Sequence, residues 1–226
     1  MVRTKRNSPI PRQAAAVRAT EFQYPTVKIS YLPIDVQKRN CNIFTITKNR
    51  RTRRRFKALP LETLGTFLWY SWKTGTRRID QNGRSFEFRP APSAGACHPH
   101  DLIIFRKEGK HFSVSLYNPL SHALMRLNCI PSKTLKFVSK INQVLPIQQG
   151  TILWLGCQSS RTESAYRFSE SLLWRDAGVL LGVMALVAEG LGLAFCPLGI
   201  TGEPHLSGLF KSKGHVEGFG GAILGV

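Results

Sequence analysis

Two separated stretches carry residue types that could do chemistry together. The first is the run Arg50-Arg51-Thr52-Arg53-Arg54-Arg55-Phe56. Guanidinium forks beside a hydroxyl and backbone donors are what a phosphate needs, and Arg50, Arg51 and Thr52 supply them within three residues. Taken alone the run also fits a solvated patch, a nucleic-acid contact or a localisation signal. The second stretch is Trp174 to Gly202. It passes from Trp174-Arg175-Asp176-Ala177-Gly178 through a long apolar segment to Gly190-Leu191-Gly192-Leu193-Ala194-Phe195-Cys196-Pro197-Leu198-Gly199. A buried helix that breaks at glycines into a short strand can shelter a flat cofactor, and the turn at Pro197-Leu198-Gly199 could aim backbone amides at one. A core helix with no ligand is the plain alternative.

A third element is the tight segment Ala91-Pro92-Ser93-Ala94-Gly95-Ala96. Small residues let a backbone approach a ligand closely, and the Ser93 hydroxyl could meet a heteroaromatic ring edge. A tight strand entry with no ligand explains it equally well.

These pieces need elements to hold them. Leu61, Leu64, Leu68 and Trp72 share one helical face behind Pro60, which predicts a helix over 61–72. The polar, basic stretch 76–89 reads as a loop. Residues 102–105 and 111–117 predict a hairpin about Glu108-Gly109-Lys110. A helix is expected over 132–144, a buried strand over 151–157, and one helix, or two with a break, over 168–190. A short strand at 193–195, a short helix at 204–210 and a last strand at 218–226 complete the pattern. The short apolar pieces at 29–32 and 43–46 read as strands or extended cover. Strands and helices alternate irregularly, so the class is α+β.

The chain has 226 residues and a formal net charge of +19. Fifteen of the 32 Lys and Arg fall in residues 1–57, against only Glu21 and Asp35. Such a field attracts polyanions or acidic partners without choosing among them. Residues 1–25 lack periodicity and read as a mobile arm or leader-like extension. The expected division is a basic arm and cover segment over 1–47 and a folded domain over 48–226. Cys41, Cys97, Cys129, Cys157 and Cys196 form no C-x-x-C pair and have no histidine at a metal-ligand offset, so no metal is expected and buried thiols in a reducing cytoplasm are. The apolar run from Ala177 to Ala188 is too short to span a bilayer, and no membrane role is expected.

The order of motifs resembles a known family. R-R-T-x-R-x-F, the helix beginning Pro60-Leu61-Glu62, A-P-S-A-G-A, a hairpin ending Tyr117-Asn118-Pro119, and D-A-G-x-x-L-G through Cys196-Pro197-Leu198-Gly199 together resemble the nitroreductase-like flavin oxidoreductases, nearest their azoline and peptide dehydrogenase branch. The likeness runs over residues 48–225. It implies an α+β fold with a central mixed or antiparallel sheet, a long buried central helix, and FMN at a homodimer interface. By the same resemblance Arg50, Arg51, Thr52 and Arg54 match the motif holding the phosphate and ribityl chain. Pro92, Ser93, Ala94 and Gly95 match the loop that meets the ring, often from the second subunit. Leu198 and Gly199 match the turn whose donor reaches flavin N5.

The chain departs from that pattern in two places. It ends at Gly225-Val226 without the family's cationic residue beyond the last strand, for which Lys211 or Lys213 is the expected substitute. The branch's Y-G-x-R-G-Y-R pattern reads Arg161-Thr162-Glu163-Ser164-Ala165-Tyr166-Arg167, and its Lys-Tyr pair is missing. Tyr166 is the candidate base, with Arg167 or Arg161 to lower its pKa from about 10. His98 and His122 are weaker candidates, since lone histidines are usually structural. The implied activity is FMN-dependent oxidation of a peptide-derived or heterocyclic substrate such as an azoline or cyclic dipeptide. A nicotinamide-driven nitro or quinone reductase is the alternative. A basic polyanion binder or non-catalytic partner on a flavin fold is another, though no nucleic-acid-binding motif is present. An acidic protein or peptide is a candidate partner of the basic arm.

Overall fold

The computed structural model describes residues 7–13, 21–34, 41–81, 85–210 and 216–226. The expected substitutes Lys211 and Lys213 lie outside them. Among the described residues, eleven strands and five α-helices follow in chain order. They are β1 (Ile10–Pro11), β2 (Thr26–Tyr31), α1 (Ile43–Asn49), α2 (Leu61–Ser71), β3 (Thr76–Ile79), β4 (Ser85–Phe88), β5 (His100–Glu108), β6 (His111–Asn118), β7 (Ala123–Leu127), α3 (Pro131–Val144), β8 (Thr151–Cys157), α4 (Ser160–Glu163), β9 (Tyr166–Arg167), α5 (Glu170–Gly190), β10 (Ala194–Leu198) and β11 (Glu217–Gly225).

Seven strands form one antiparallel sheet in the order β10-β11-β8-β5-β6-β7-β2. The fold is α+β, as the irregular alternation implies, and the sheet is antiparallel throughout rather than mixed. Strand β8 and the middle of β5 are covered on both faces: Leu102, Ile104, Leu153 and Leu155 point to one face, Ile103, Phe105, Ile152 and Trp154 to the other. Helices α2 and α5 cover the first face, with Leu64, Phe67, Leu68 and Met184 buried among those side chains. The second face is covered by α3 through Phe137, Val138 and Ile141, and by Leu206 and Leu209. Burying a Phe or Leu of this kind contributes about 1.5–3 kcal/mol relative to leaving it exposed, so the two layers fix the helices to the sheet.

Three expectations are corrected, and one strand has no counterpart among them. The segment 43–46 is helical, because Asn42 caps it by accepting from the Phe44 N–H at 2.8 Å. Residues 76–89 contain a hairpin, β3–β4, rather than a loop; the adjacent Arg77 and Arg78 break any alternation in β3, and only Phe86 and Phe88 alternate in β4. Strand β7 escaped notice because its five residues follow the turn at Asn118, Pro119 and Leu120 with little alternation. Helix α5 is a single unbroken helix of 21 residues, long and apolar enough by composition to cross a membrane. It packs against α2, β10 and β11 and is a core helix on one face only. Trp174 and Val179 are 41% and 38% exposed, and Gly178 and Gly182 also face outward, so the helix expected to be buried is half buried within one chain.

The described part of the N-terminal segment is built into this body. Strand β2 joins the sheet edge beside β7, and Glu21 pairs with Arg161 at 2.9 Å.

Candidate functional site

The arginine run lies against the end of α5 and the start of β10. The Arg53 N–H donates to Phe195 O at 3.2 Å, and its guanidinium takes both oxygens of Glu189 on the last turn of α5. That pair holds the Glu189 carboxyl below its usual range and spends Arg53 on structure. Arg51 folds back to donate to the Lys48 and Arg50 carbonyls at 3.0 and 2.9 Å, closing the C-terminal end of α1. Arg54 approaches Cys196 on β10 and opposes the upward push of burial on that thiol. Arg50 caps α1, and Thr52 and Arg54 are exposed. Gly199 lies three residues beyond Cys196, about 10 Å along the strand. It is exposed, and a Cβ there would meet nothing within 4 Å. The run and the Leu198-Gly199 turn therefore share one side of the molecule. A cationic group stands at one end and an open backbone at the other.

Lys57 is a contact the sequence reasoning missed. Its N–H donates to Val226 O at 2.9 Å, which lays the basic run beside the end of the last strand. Its signal in the sequence was only its place next to the run.

The small-residue loop sits at the other end of α5. Ser93 Oγ donates to Asp176 Oδ2 at 2.6 Å, and the Ala94 N–H reaches both Asp176 oxygens at 3.3 Å. The His98 N–H in turn donates to Ser93 Oγ at 3.0 Å. The Ser93 hydroxyl is therefore engaged within the fold rather than offered to a ring edge. The loop turns through left-handed backbone at Gly95 (φ 57), Ala96 (φ 50) and His98 (φ 44). Such φ values cost a residue with a Cβ, and the buried carboxylate of Asp176 is what holds the loop in them. Pro92, Ser93, Ala94 and Gly95 remain half-buried or exposed at this end. Asp176 had no role assigned from the sequence; its only signal was its place in the D-A-G motif.

Next to the loop lies a partly buried polar cluster. Arg161 donates to Asp101 Oδ1 at 2.8 Å, to Glu21 Oε2 at 2.9 Å and to His98 O at 3.1 Å. Gln158 bridges Asp101 and the Phe22 N–H. Arg161 is thereby committed away from Tyr166. Tyr166 lies on β9, half-buried, paired with Pro11 of the N-terminal segment. It stands at the loop end of α5, four residues before Glu170. Arg167 is exposed, with its guanidinium 5.5 Å from the Phe168 ring centre.

The two histidines have structural partners. His98 Nε2 bonds Glu87 O at 2.7 Å, and burial together with Arg89 pulls its pKa down to about 4. His122 Nδ1 meets the Tyr117 hydroxyl at 2.7 Å while its ring stands edge-on to Trp69.

The two halves of the expected site thus attach to opposite ends of α5, at Asp176 and Glu189. Thirteen residues of helix separate them by about 20 Å. Gly182 lies midway, outward-facing, with open space where a Cβ would stand.

Comparison with known proteins agrees with this architecture. The model described as Nitroreductase family matches residues 47–220. No curated protein matches the chain. Among solved structures, a nitroreductase-like protein from Ralstonia eutropha JMP134 is 15% identical, with a TM-score of 0.61 over 97% of this chain and 98% of that one. The E. coli microcin synthetase McbBCD complex with truncated pro-MccB17 bound is 17% identical, with a TM-score of 0.57 over 87% of this chain and 77% of the matched one. A Desulfovibrio desulfuricans protein of the nitroreductase type, in complex with FMN, is 16% identical, with a TM-score of 0.50 over 82% and 86%.

Proposed function

The chain belongs to the nitroreductase family, and on that premise we propose that it is an FMN-dependent oxidoreductase working as a homodimer. The proposed reaction is dehydrogenation of a peptide-derived or heterocyclic substrate of the azoline or cyclic dipeptide type. The observation that carries this reading is the placement of a cationic run and an exposed glycine turn along one strand, with a small-residue loop held at the far end of the same helix.

The residues fit such a cofactor. Arg50, Thr52 and Arg54, with the Arg51 backbone, would hold the phosphate and ribityl chain, and Lys57 adds charge beside Val226. Leu198 and Gly199 would meet the ring. Pro92, Ser93, Ala94 and Gly95 would meet it from the second copy, in the loop shape that the Ser93–Asp176 bond sets. FMN, when bound, supplies the hydride chemistry at its N5. The chain binds and orients it, excludes water, and offers Tyr166, with Arg167 beside it, as the group that takes the substrate proton.

The outward face of α5 supports the homodimer in this reading. Gly178, Val179 and Gly182 give the middle of the outward face small side chains, beyond exposed Trp174 and Arg175, and Gly182 is midway between Asp176 and Glu189. A two-fold axis at Gly182 would set Asp176 and its loop from one copy beside Glu189 and the arginine run of the other. Close helix approach across small residues suits that contact. Residues 48–226 form the cofactor-binding domain in this reading. The arm and cover segment of 1–47 precede it, with β2 serving as the sheet's edge. The basic arm would meet an acidic protein or peptide, ahead of nucleic acid. Five cysteines without a disulfide suit a reducing compartment, the cytoplasm.

The test is a visible spectrum of the purified protein with mass identification of the released chromophore. Flavin bands and FMN are expected. A folded protein that takes up no FMN at any supplied concentration overturns the reading. Anaerobic addition of NADH or NADPH then decides direction: rapid bleaching favours a reductase, and an unchanged spectrum favours a dehydrogenase.

A further inference from the structure

Trp174 is 41% exposed, yet its ring is held from behind. It stacks on Phe219 with 4.1 Å between centroids and 29° between planes, and Phe219 lies 5.2 Å from the His100 ring. Phe219 and His100 are buried. The two inner rings therefore back an indole whose remaining surface is open.

Phe219 is placed by a break in β11. The register with β8 shifts between Gly218 and Gly221, and Gly220 has a positive φ of 95°. A bulge of this kind re-aims a side chain. Here it sends Phe219 into the cluster formed by Leu173 and Ala177 of α5.

The same bulge holds the segment that follows Gly199. The Gly220 N–H donates to Thr201 O at 3.1 Å, and the Gly218 N–H to Glu203 Oε1 at 2.7 Å. A Cβ on Gly220 would stand 3.5 Å from Ile200 O and 4.0 Å from Leu198 O, the carbonyls on either side of Gly199. Register pairs Leu198 with Gly221 and Ala194 with Gly225. The start of α5, through Trp174, thus lies at the Gly199 end of β10. The arginine run lies at the other end, where Arg53 meets Phe195.

We infer that Trp174 is a specificity-determining residue, whose open ring stacks a planar, conjugated group of the substrate beside the Leu198-Gly199 turn. The inference rests on the proposed reading of that turn as the one that meets the flavin ring. Flat rings favour offset stacking on an indole face. An indole already oriented by a second ring offers that contact with little left to order. The group selected is an aromatic or heteroaromatic ring joined to the reacting bond, rather than an aliphatic one.

The test uses phenylthiazole and methylthiazole, oxidised azolines that differ by one aromatic ring. Each is titrated calorimetrically into the full-length protein. The wild type should prefer phenylthiazole. Trp174→Leu should cut that preference at least fivefold, and Trp174→Phe, which restores a ring face, should keep it within twofold. A wild type without the preference overturns the inference, as does an unchanged preference in the Leu variant or an equal loss in the Phe variant. Equal weakening of both probes would make Trp174 a structural support and overturns it too. Sedimentation and FMN titration are run on the same samples. A Leu variant that falls to monomer, or that binds FMN tenfold more weakly, would assign the ring to the second copy or to the cofactor and overturn the proposal. Lost preference with flavin bound in all three proteins supports the stacking role. The same loss with no flavin in any sample still supports stacking on Trp174 and sinks the cofactor reading alone.

Discussion

Ser93 donates its hydroxyl to Asp176 across 2.6 Å, and this bond sets the shape of the loop that follows. Asp176 is 6% exposed and also receives the Ala94 N–H. One carboxylate on α5 thus stabilises a segment with three left-handed residues close together in sequence.

Removing that carboxylate should loosen the loop. Asp176→Ala leaves the Ser93 hydroxyl and the Ala94 N–H without their partner, at a cost of about 2–3 kcal/mol. Asp176→Asn keeps one acceptor and should cost less. Urea denaturation gives the stability, and flavin titration should show weaker FMN binding in the same order. Equal FMN affinity in all three proteins would separate the loop from the cofactor.

The dimer can be tested where nothing in a single chain resists change. At Gly182 an added Cβ meets no atom within 4 Å, the residue is exposed, and Arg is a better helix former than Gly. Gly182→Arg should therefore leave the fold of the single chain intact while blocking α5 from a second copy. Sedimentation should show a shift from dimer to monomer, with FMN affinity falling at least tenfold. A dimer that persists would move the interface elsewhere.

The arginine run makes a prediction specific to phosphate. Arg50→Ala with Arg54→Ala should weaken FMN binding at least tenfold and leave riboflavin binding nearly unchanged, because only FMN carries the group those forks hold. Arg53→Ala should act instead through stability, since its partner is Glu189. Calorimetric titration with both flavins distinguishes the two effects.

Acid should act through His98. Burial and Arg89 depress its pKa to about 4 from the ordinary 6.5, while Glu87 pulls the other way. The unfolded chain therefore binds the proton first. The neutral ring's contribution is complete above about pH 6.5, is lost as pH falls through the window, and levels off below about 4. The loss is about 3 kcal/mol. Asn tolerates the left-handed backbone there, so His98→Asn should flatten this part of the curve. Melting temperatures between pH 7 and 4 check it; parallel curves for both proteins would place the acid sensitivity in other groups.

Much of this architecture was legible from periodicity. Leu64 and Leu68 with Phe67 mark the inner face of α2, and the β8 run Ile152-Leu153-Trp154-Leu155 reads as buried on both faces because every residue in it is apolar. The hairpin β3–β4 was not legible: the adjacent Arg77 and Arg78 break any alternation in β3, and a strand pair that buries little leaves a weak hydrophobic pattern. Helix α5 was legible as a helix. Its half exposure was not, because Gly178 and Gly182 carry no side chain to mark a face.

The sequence by itself determined the α+β class, the positions of the arginine run, the loop and the glycine turn, and the order that links them to one family. Only the tertiary structure decided which side chains are already engaged: Arg53 by Glu189, Ser93 by Asp176, Arg161 by Asp101 and Glu21. The reason is physical. Periodicity reports which residues leave water, a sum over local neighbours, whereas a hydrogen bond depends on the meeting of two atoms far apart in the chain, which the folded backbone alone brings within 3 Å.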